Sequence, residues 1–212
     1  MASTAPASTH ELLQHQDLWR ARAGVAHAGP TAATGHAELD AQLPGHGWPL
    51  GRLGEILLAQ IGQGEISLLL PLLAQRTRQG CPLVYVRPPF PPNVPALAAA
   101  GVDVQQLLLV LPRSEREALW AAEQLLASRV PSNVLIWAEH ADERALRRLA
   151  LAAEGTRSLA VLFKPASSQL SPATLRLRID GPLSRTPLKI VKARGLACTA
   201  AQPLPVHIAG SV

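Results

Sequence analysis

The chain is poor in the residues that build several common protein classes. Only two of its 212 residues are cysteines, Cys81 and Cys198, which excludes a disulfide scaffold and a structural zinc site and fits a reducing cytosol. No apolar run approaches the roughly 20 residues that a membrane-spanning helix needs. The first ten residues lack the basic start and apolar centre of a signal peptide. We therefore expect a cytoplasmic protein with no membrane partner.

Lysine is also scarce, because 17 of the 20 basic residues are arginines. Residues 129–212 carry 12 basic and 5 acidic residues, a net charge of +7, whereas residues 1–128 carry 8 and 10, a net charge of −2. A basic C-terminal third suits contact with nucleic acid or with an acidic protein surface. A GC-rich coding sequence would produce the same arginine bias, so the charge alone does not indicate DNA binding.

Apolar segments of strand length alternate with amphipathic helical patterns through the middle of the chain. The predicted strands cover residues 53–58, 83–86, 107–111, 134–137 and 159–163. The predicted helices cover residues 66–79, 94–100, 115–128 and 143–154. The last four of these strands are apolar throughout, and such strands alternating with helices indicate a parallel sheet covered on both faces. The sequence therefore predicts an α/β fold.

The flanking segments divide the chain into three predicted parts. Residues 1–33 form an N-terminal arm, partly disordered or helical, with a short helix at 10–22. Residues 34–195 form the domain, in which Thr34 is a candidate helix cap. The period-two patterns at 175–179 and 188–192 predict antiparallel strands that offer Arg and Lys to solvent. Residues 196–212 form a tail.

The first predicted strand leads into Gly62-Gln63-Gly64, where a phosphate-binding loop belongs. Such a loop needs a lysine for the terminal phosphates and a hydroxyl for magnesium. Here Glu65 and Ile66 occupy those positions, and a carboxylate would repel phosphate. Arg87 also stands where the acid that activates water would follow the second strand. We therefore predict a degenerate loop at Gly62, Gly64, Glu65 and Ile66, with no catalytic residue, no cofactor and no metal.

Two surface features are candidates for contact with partners. Arg87 and Phe90 lie in a proline-rich segment, and a stiff loop binds with little loss of entropy. The alternative is a rigid loop that only covers the core. The second candidate is a basic stripe, for which a solvated face is the alternative. The basic stripe comprises Arg176, Arg178, Lys189, Lys192 and Arg194.

The segment before the phosphate loop carries a series of spaced positions, and a further run follows the loop at Gly101-Val102-Asp103. The positions of the first segment are Thr34-Gly35, Leu39-Asp40, Leu43, Gly45, Gly47, Pro49, Gly51-Arg52 and Glu55-Ile56. With this pattern, residues 34–140 resemble the RecA ATPase core. The resemblance implies a RecA-like fold. RecA's nucleotide-binding residues are not carried over, because Glu65, Ile66 and Arg87 replace them.

Two further runs narrow the resemblance to SOS-response relatives of RecA. Residues 111–124 and the run Leu162-Phe163-Lys164-Pro165-Ala166-Ser167-Ser168 resemble ImuA, a translesion-synthesis protein, and also SulA, a cell-division inhibitor. SulA is shorter and lacks the segment equivalent to residues 34–51, so the chain is more similar to ImuA. That resemblance spans residues 18–195.

The resemblance to ImuA implies a non-enzymatic accessory role in error-prone translesion DNA synthesis. The implied partners are an ImuB-type polymerase-like adaptor and an error-prone C-family polymerase, with RecA and DNA as further candidates. The first alternative is a SulA-like inhibitor that blocks FtsZ polymerisation. The second alternative is a RecA-like protein with residual ATP binding.

Overall fold

The structure, a computed structural model, describes residues 29–167 and 171–193 and the backbone of residues 203–204. The predicted helix at 10–22 and the candidate contact residue Arg194 lie outside this part of the chain. Within it, the predicted strands and helices from residue 53 to residue 163 are confirmed to within about two residues at each end. The periodicity of the sequence was therefore sufficient to locate them.

Ten strands and five α-helices make up the described residues. The strands are β1 (Thr31–Ala32), β2 (Trp48–Pro49), β3 (Arg52–Leu58), β4 (Leu83–Val86), β5 (Leu107–Val110), β6 (Asn133–Trp137), β7 (Leu159–Pro165), β8 (Leu175–Ile179), β9 (Leu188–Ala193) and β10 (Pro203–Leu204). The helices are α1 (Ala37–Gln42), α2 (Glu65–Arg78), α3 (Val94–Ala99), α4 (Glu115–Ala127) and α5 (Glu143–Ala153). A 3-10 turn at Val104–Gln106 precedes β5.

The main sheet has the strand order β10-β9-β8-β3-β7-β6-β4-β5. The strands from β8 to β5 run parallel, whereas β9 and β10 are antiparallel to their neighbours. The predicted α/β class with antiparallel C-terminal strands is thus confirmed. One detail of the prediction is wrong, because β8 is antiparallel only to β9 and pairs parallel with the central strand β3.

Two hydrophobic layers cover the faces of the sheet. On one face, Leu68 and Leu72 of α2 pack with Ile56 of β3. On the other face, Leu126 of α4 and Leu149 of α5 belong to a second buried cluster. Helices on both faces explain why β4 is apolar at every position and why β6 and β7 are apolar over most of their length. The carboxyl ends of the parallel strands are left as an open edge of the sheet.

The first helix begins two residues later than the sequence suggested. The N-terminal cap of α1 is His36, whose side chain makes no capping hydrogen bond, so the assignment of Thr34 as the cap is wrong. The backbone N–H of Thr34 instead donates to Asp40 Oδ1 at 2.9 Å. The carboxylate of Asp40 in α1 therefore holds Thr34, which precedes the helix, by a hydrogen bond.

An ion pair lies buried between the central strands. Arg176 of β8 donates from Nε to Glu55 Oε2 of β3 at 2.7 Å, and Ser171 donates to the other carboxylate oxygen. The side chain of Glu55 is fully buried and that of Arg176 is 7% exposed. The prediction that Arg176 faces solvent is wrong, because Arg176 lies opposite Glu55 in the register of β8 with β3 and its side chain is buried there.

Removing one partner of this pair should be costly. We expect Arg176→Met to lower the free energy of unfolding by about 3–5 kcal/mol, because the Glu55 carboxylate would lose its buried counter-charge. Urea denaturation measures the loss. The matched control is Arg178→Met on the same strand, where the side chain is 43% exposed and the loss should stay within about 1 kcal/mol. Equal losses in the two variants would contradict this account.

Candidate functional site

The loop between β3 and α2 has the geometry of a phosphate-binding loop. It leaves the carboxyl end of the central strand and enters a 14-residue helix. Gly62 and Gly64 have φ angles of 85° and 97°, a left-handed conformation that residues with a side chain rarely adopt. The loop lies where the sequence predicted it, and its two glycines adopt the conformation that calls for glycine.

The side chain of Glu65 fills the loop. Its Oε1 accepts the backbone N–H of Gly62 at 2.9 Å, and its Oε2 accepts the N–H of Gln63 at 2.9 Å. Glu65 is only 4% exposed and stands at the first position of α2, where the helix dipole favours negative charge. The carboxylate thus uses backbone amides of the kind that bind phosphate in a functional loop. The sequence predicted that the Glu65 carboxylate would repel phosphate. In the structure this carboxylate also occupies the N–H groups of Gly62 and Gln63.

A second segment closes over the loop. The N–H of Leu183, between β8 and β9, donates to the carbonyl of Gln63 at 2.9 Å. A cavity of about 260 Å³ lies between the loop and residues 182–184. Ile66 lines it where a hydroxyl would hold magnesium, and the part of the chain that the structure describes contains no cluster of three potential metal ligands. The cavity thus offers a bound nucleotide no lysine, and the loop amides of Gly62 and Gln63 are already engaged.

Next to this loop the ends of four parallel strands enclose a larger space, which we call the strand-end crevice. Its volume is about 530 Å³. In open α/β sheets this edge is the usual place for a ligand. The crevice is lined by Leu58, Ala59, Gln60, Ile61, Arg87, Pro88, Pro89, Trp137, Ala138, Glu139, Phe163, Lys164 and Pro165.

Arg87 holds the position that an acid would occupy in an ATPase. Its Nη1 lies 3.8 Å from Glu115 Oε2, and 41% of its side chain is exposed. The carboxylate of Glu115 also accepts the backbone N–H groups of Glu139 and His140, at 3.1 and 2.8 Å. Glu115 therefore ties the chain after β6 to the start of α4, and Arg87 remains a half-exposed cation at the crevice.

Three aromatic side chains pack together beneath the crevice. Trp137 is stacked on Phe163 with 4.7 Å between ring centroids, and Tyr85 meets Trp137 at 5.1 Å. The Oη of Tyr85 and the Nε1 of Trp137 are buried, and neither has a hydrogen-bond partner among the described residues. Burial raises the pKa of Tyr85 to about 12. Trp137 is the last residue of the predicted strand 134–137, and the sequence did not identify it as the wall of a crevice.

The proline-rich loop places Phe90 in solvent, with 69% of its surface exposed. Phe90, Pro91 and Pro92 line an apolar groove of about 490 Å³. The groove shares Trp137 with the strand-end crevice. The sequence identified the proline-rich side of this groove as a contact candidate. It did not identify Lys164 in the neighbouring crevice, although lysine is rare in this chain, with only three in all.

The basic stripe is not a continuous charged face. Arg178 and Lys189 both pair with Asp180, at 2.5 and 2.8 Å, and these two cations hold the pKa of Asp180 below its usual value. Lys192 donates to the carbonyl of Ser171 at 3.1 Å. With Arg176 buried, most of the predicted positive charge in the described part of the stripe already has a partner within the chain.

The fold and loop define a RecA-like α/β protein with a degenerate phosphate loop. No protein-family model matches the chain. It is 31% identical over 121 residues to the cell division inhibitor SulA of Edwardsiella piscicida, an alignment that covers 55% of this chain and 72% of that protein. The chain therefore belongs to the SulA family.

RecA aligns over a shorter stretch and a smaller share of its own length. Two RecA proteins of Lactobacillus delbrueckii subsp. bulgaricus are 31% identical over 98 residues, covering 46% of this chain but only 29% and 26% of theirs. The crystal structure of SulA from Pseudomonas aeruginosa aligns with a TM-score of 0.44 and 21% identity, over 52% of this chain and 96% of that one. In the described residues no helix has the length and apolarity to cross a membrane.

The Glu65 carboxylate should contribute to folding. We expect Glu65→Gln to lower the free energy of unfolding by about 1–3 kcal/mol, because an amide can accept only one of the two loop N–H groups and turns a donor toward the other. Urea denaturation of the purified chain measures this. Glu38→Gln, at an exposed position of α1, is the control and should change little. A neutral effect at both positions would argue against the filled loop.

Tyr85 is the chain's only tyrosine, so its titration can be followed directly by absorbance. The folded protein should ionise with a pKa near 12, and the urea-unfolded chain near the ordinary tyrosine value of 10.0. Because the unfolded state loses its proton first, the contribution of Tyr85 to stability is constant below pH 10.0 and falls toward pH 12. The fall is about 1.4 kcal/mol per pH unit. Tyr85→Phe should remove this decline, and identical pH profiles for both proteins would refute it.

Proposed function

We propose that this protein is a non-enzymatic accessory factor of SOS-induced, error-prone translesion DNA synthesis, and that it acts by contacting other proteins. The proposed partners are an ImuB-type polymerase-like adaptor and an error-prone C-family polymerase. RecA is a further candidate. The SulA and RecA relatives support a protein of the DNA-damage response, and the resemblance of residues 18–195 to ImuA supports the particular process.

The observation that carries the proposal is the carboxylate of Glu65 on the amides of the phosphate loop. Bound ATP would have to displace this internal anion and would then find no lysine for its terminal phosphates. Arg87 after β4 replaces the acid that would activate water. These features favour a scaffold that binds other proteins, and they argue against a residual ATPase.

Exposed apolar side chains also favour protein contacts. Leu108 and Leu109 on β5 are 52% and 46% exposed, and Leu111 immediately after it is 72% exposed. Strand β5 ends the described sheet and pairs only with β4. An apolar strand at the edge of a sheet is a surface that proteins cover or use for association.

A second candidate function is inhibition of cell division. The relative from Edwardsiella piscicida bears that name, and 72% of its length aligns with this chain. Under this alternative the chain would block FtsZ polymerisation. The chain also carries β1, α1 and β2 before the central strand, a segment that resembles RecA and that such an inhibitor does not need.

Two measurements separate these functions. Deleting the gene should reduce damage-induced mutation frequency toward the undamaged level, and the full-length gene should restore it, because the polymerase complex would lack its accessory protein. Purified protein added in excess should leave FtsZ assembly, followed by light scattering, unchanged. Normal mutagenesis together with blocked assembly would replace the proposal with the cell-division alternative.

Calorimetry tests the nucleotide alternative. Titration of the full chain with ATP and Mg²⁺ should give no saturable heat, since Glu65 occupies the loop amides. Saturable heat that disappears in Gly64→Leu would restore the ATP-binding hypothesis.

DNA is a further candidate partner, and its binding would depend on the basic stripe. If Arg178 and Lys189 contact phosphates, the affinity for DNA should fall steeply with salt concentration. The double variant Arg178→Glu with Lys189→Glu should then not bind DNA. Retention of DNA by that double variant would show that the stripe is not the contact.

A further inference from the structure

Lys164, at the end of β7, is the least expected residue of the strand-end crevice. It is only 7% exposed, and its Nζ donates to the carbonyl of Ala141 at 3.2 Å. Among the described residues no carboxylate lies within 4.0 Å of this ammonium group. An ammonium group carries three donors, and a buried charge without a counter-charge is unfavourable. The position therefore suits an anionic acceptor that enters the crevice.

Two neighbouring residues shape the crevice around Lys164. Arg87 lines it with a half-exposed guanidinium group. Trp137 also lines it and contributes an aromatic wall, whereas its indole N–H is buried. The only acid among the lining residues is Glu139, which is 59% exposed at the rim and lies 4.0 Å from His140. Arg87 lies 3.8 Å from the Glu115 carboxylate, whereas no carboxylate of the described residues lies within 4.0 Å of Lys164, so Lys164 is the cation of the crevice that lacks a counter-charge.

The adjoining apolar groove indicates the size and character of the ligand. The crevice and the groove share the lining residues Ile61, Pro88, Pro89 and Trp137, so the two spaces, with volumes of about 530 and 490 Å³, lie side by side. One half presents cations, and the other presents Phe90 and the prolines. A small phosphate compound would use only the first half. An extended peptide with a carboxylate next to an apolar side chain would use both.

We propose that the strand-end crevice binds an acidic peptide segment of a protein partner. A carboxylate of that segment contacts Lys164 and Arg87, and its apolar neighbour packs beside Trp137 and Phe90. This inference rests on the proposed action through protein contacts and names the surface and the chemistry of the partner. It does not depend on which cellular process the partner serves.

A random-peptide phage library, selected on the full-length chain, tests the proposal without a known partner. We expect enrichment of peptides with Asp or Glu next to an aromatic or aliphatic residue. The best peptide, labelled with fluorescein, is then measured by fluorescence anisotropy. Lys164→Met should bind it about tenfold to hundredfold more weakly, because a charge-assisted hydrogen bond is lost. Lys164→Arg, which keeps the charge, should bind it within a few-fold of the unchanged chain.

The controls separate binding in the crevice from binding elsewhere on the chain. Lys189→Met removes a lysine that pairs with Asp180 outside the crevice and should bind the peptide normally. The same peptide with Asn and Gln in place of its acids should bind weakly, and millimolar inorganic phosphate should not displace the acidic form. No enrichment, equal binding by Lys164→Met, or displacement by phosphate would each overturn the proposal. None of these results depends on mutagenesis or FtsZ assays, so the two proposals fail separately.

Discussion

The contact between the Glu65 carboxylate and the backbone amides of Gly62 and Gln63 is the interaction on which the shape of the loop depends. A loop of this shape concentrates N–H donors at a helix N-terminus, and such donors need acceptors, for which an anion is well suited. In a nucleotide-binding protein the anion is a bound phosphate. Here it is a side chain of the helix itself, so the N–H groups of Gly62 and Gln63 are hydrogen-bonded within the chain and link the loop after β3 to α2.

That contact is compatible with the glycines of the loop. Gly62 and Gly64 adopt left-handed backbone conformations, which the turn from strand to helix requires and which glycine adopts without strain. The segment around Leu183 packs onto this turn, with a backbone hydrogen bond to Gln63. Packing and hydrogen bonds within the chain therefore support the geometry of the loop.

The sequence was sufficient for local features and insufficient for long-range ones. Strands such as 83–86 and 134–137 are apolar throughout, and this pattern depends only on burial on both faces. Arg176 shows the limit: its alternation with Leu175 and Leu177 suggests a solvated face, but its burial depends on β8 pairing with β3, more than 100 residues away along the chain. In the same way, no local pattern shows that the Glu65 side chain folds back onto the preceding loop.

The crevice was missed for a related physical reason. Arg87, Trp137 and Lys164 end three different strands, and only the order β7-β6-β4 brings these ends to one edge. An open parallel sheet places its strand ends together whether or not it performs catalysis, so the sheet has a concave edge beside the loop that Glu65 fills. In this chain that edge carries Arg87, Lys164 and aromatic rings. Because these side chains reach one edge from three separate strands, the arrangement suits an extended ligand with a carboxylate, and the proposed binding of an acidic peptide rests on it.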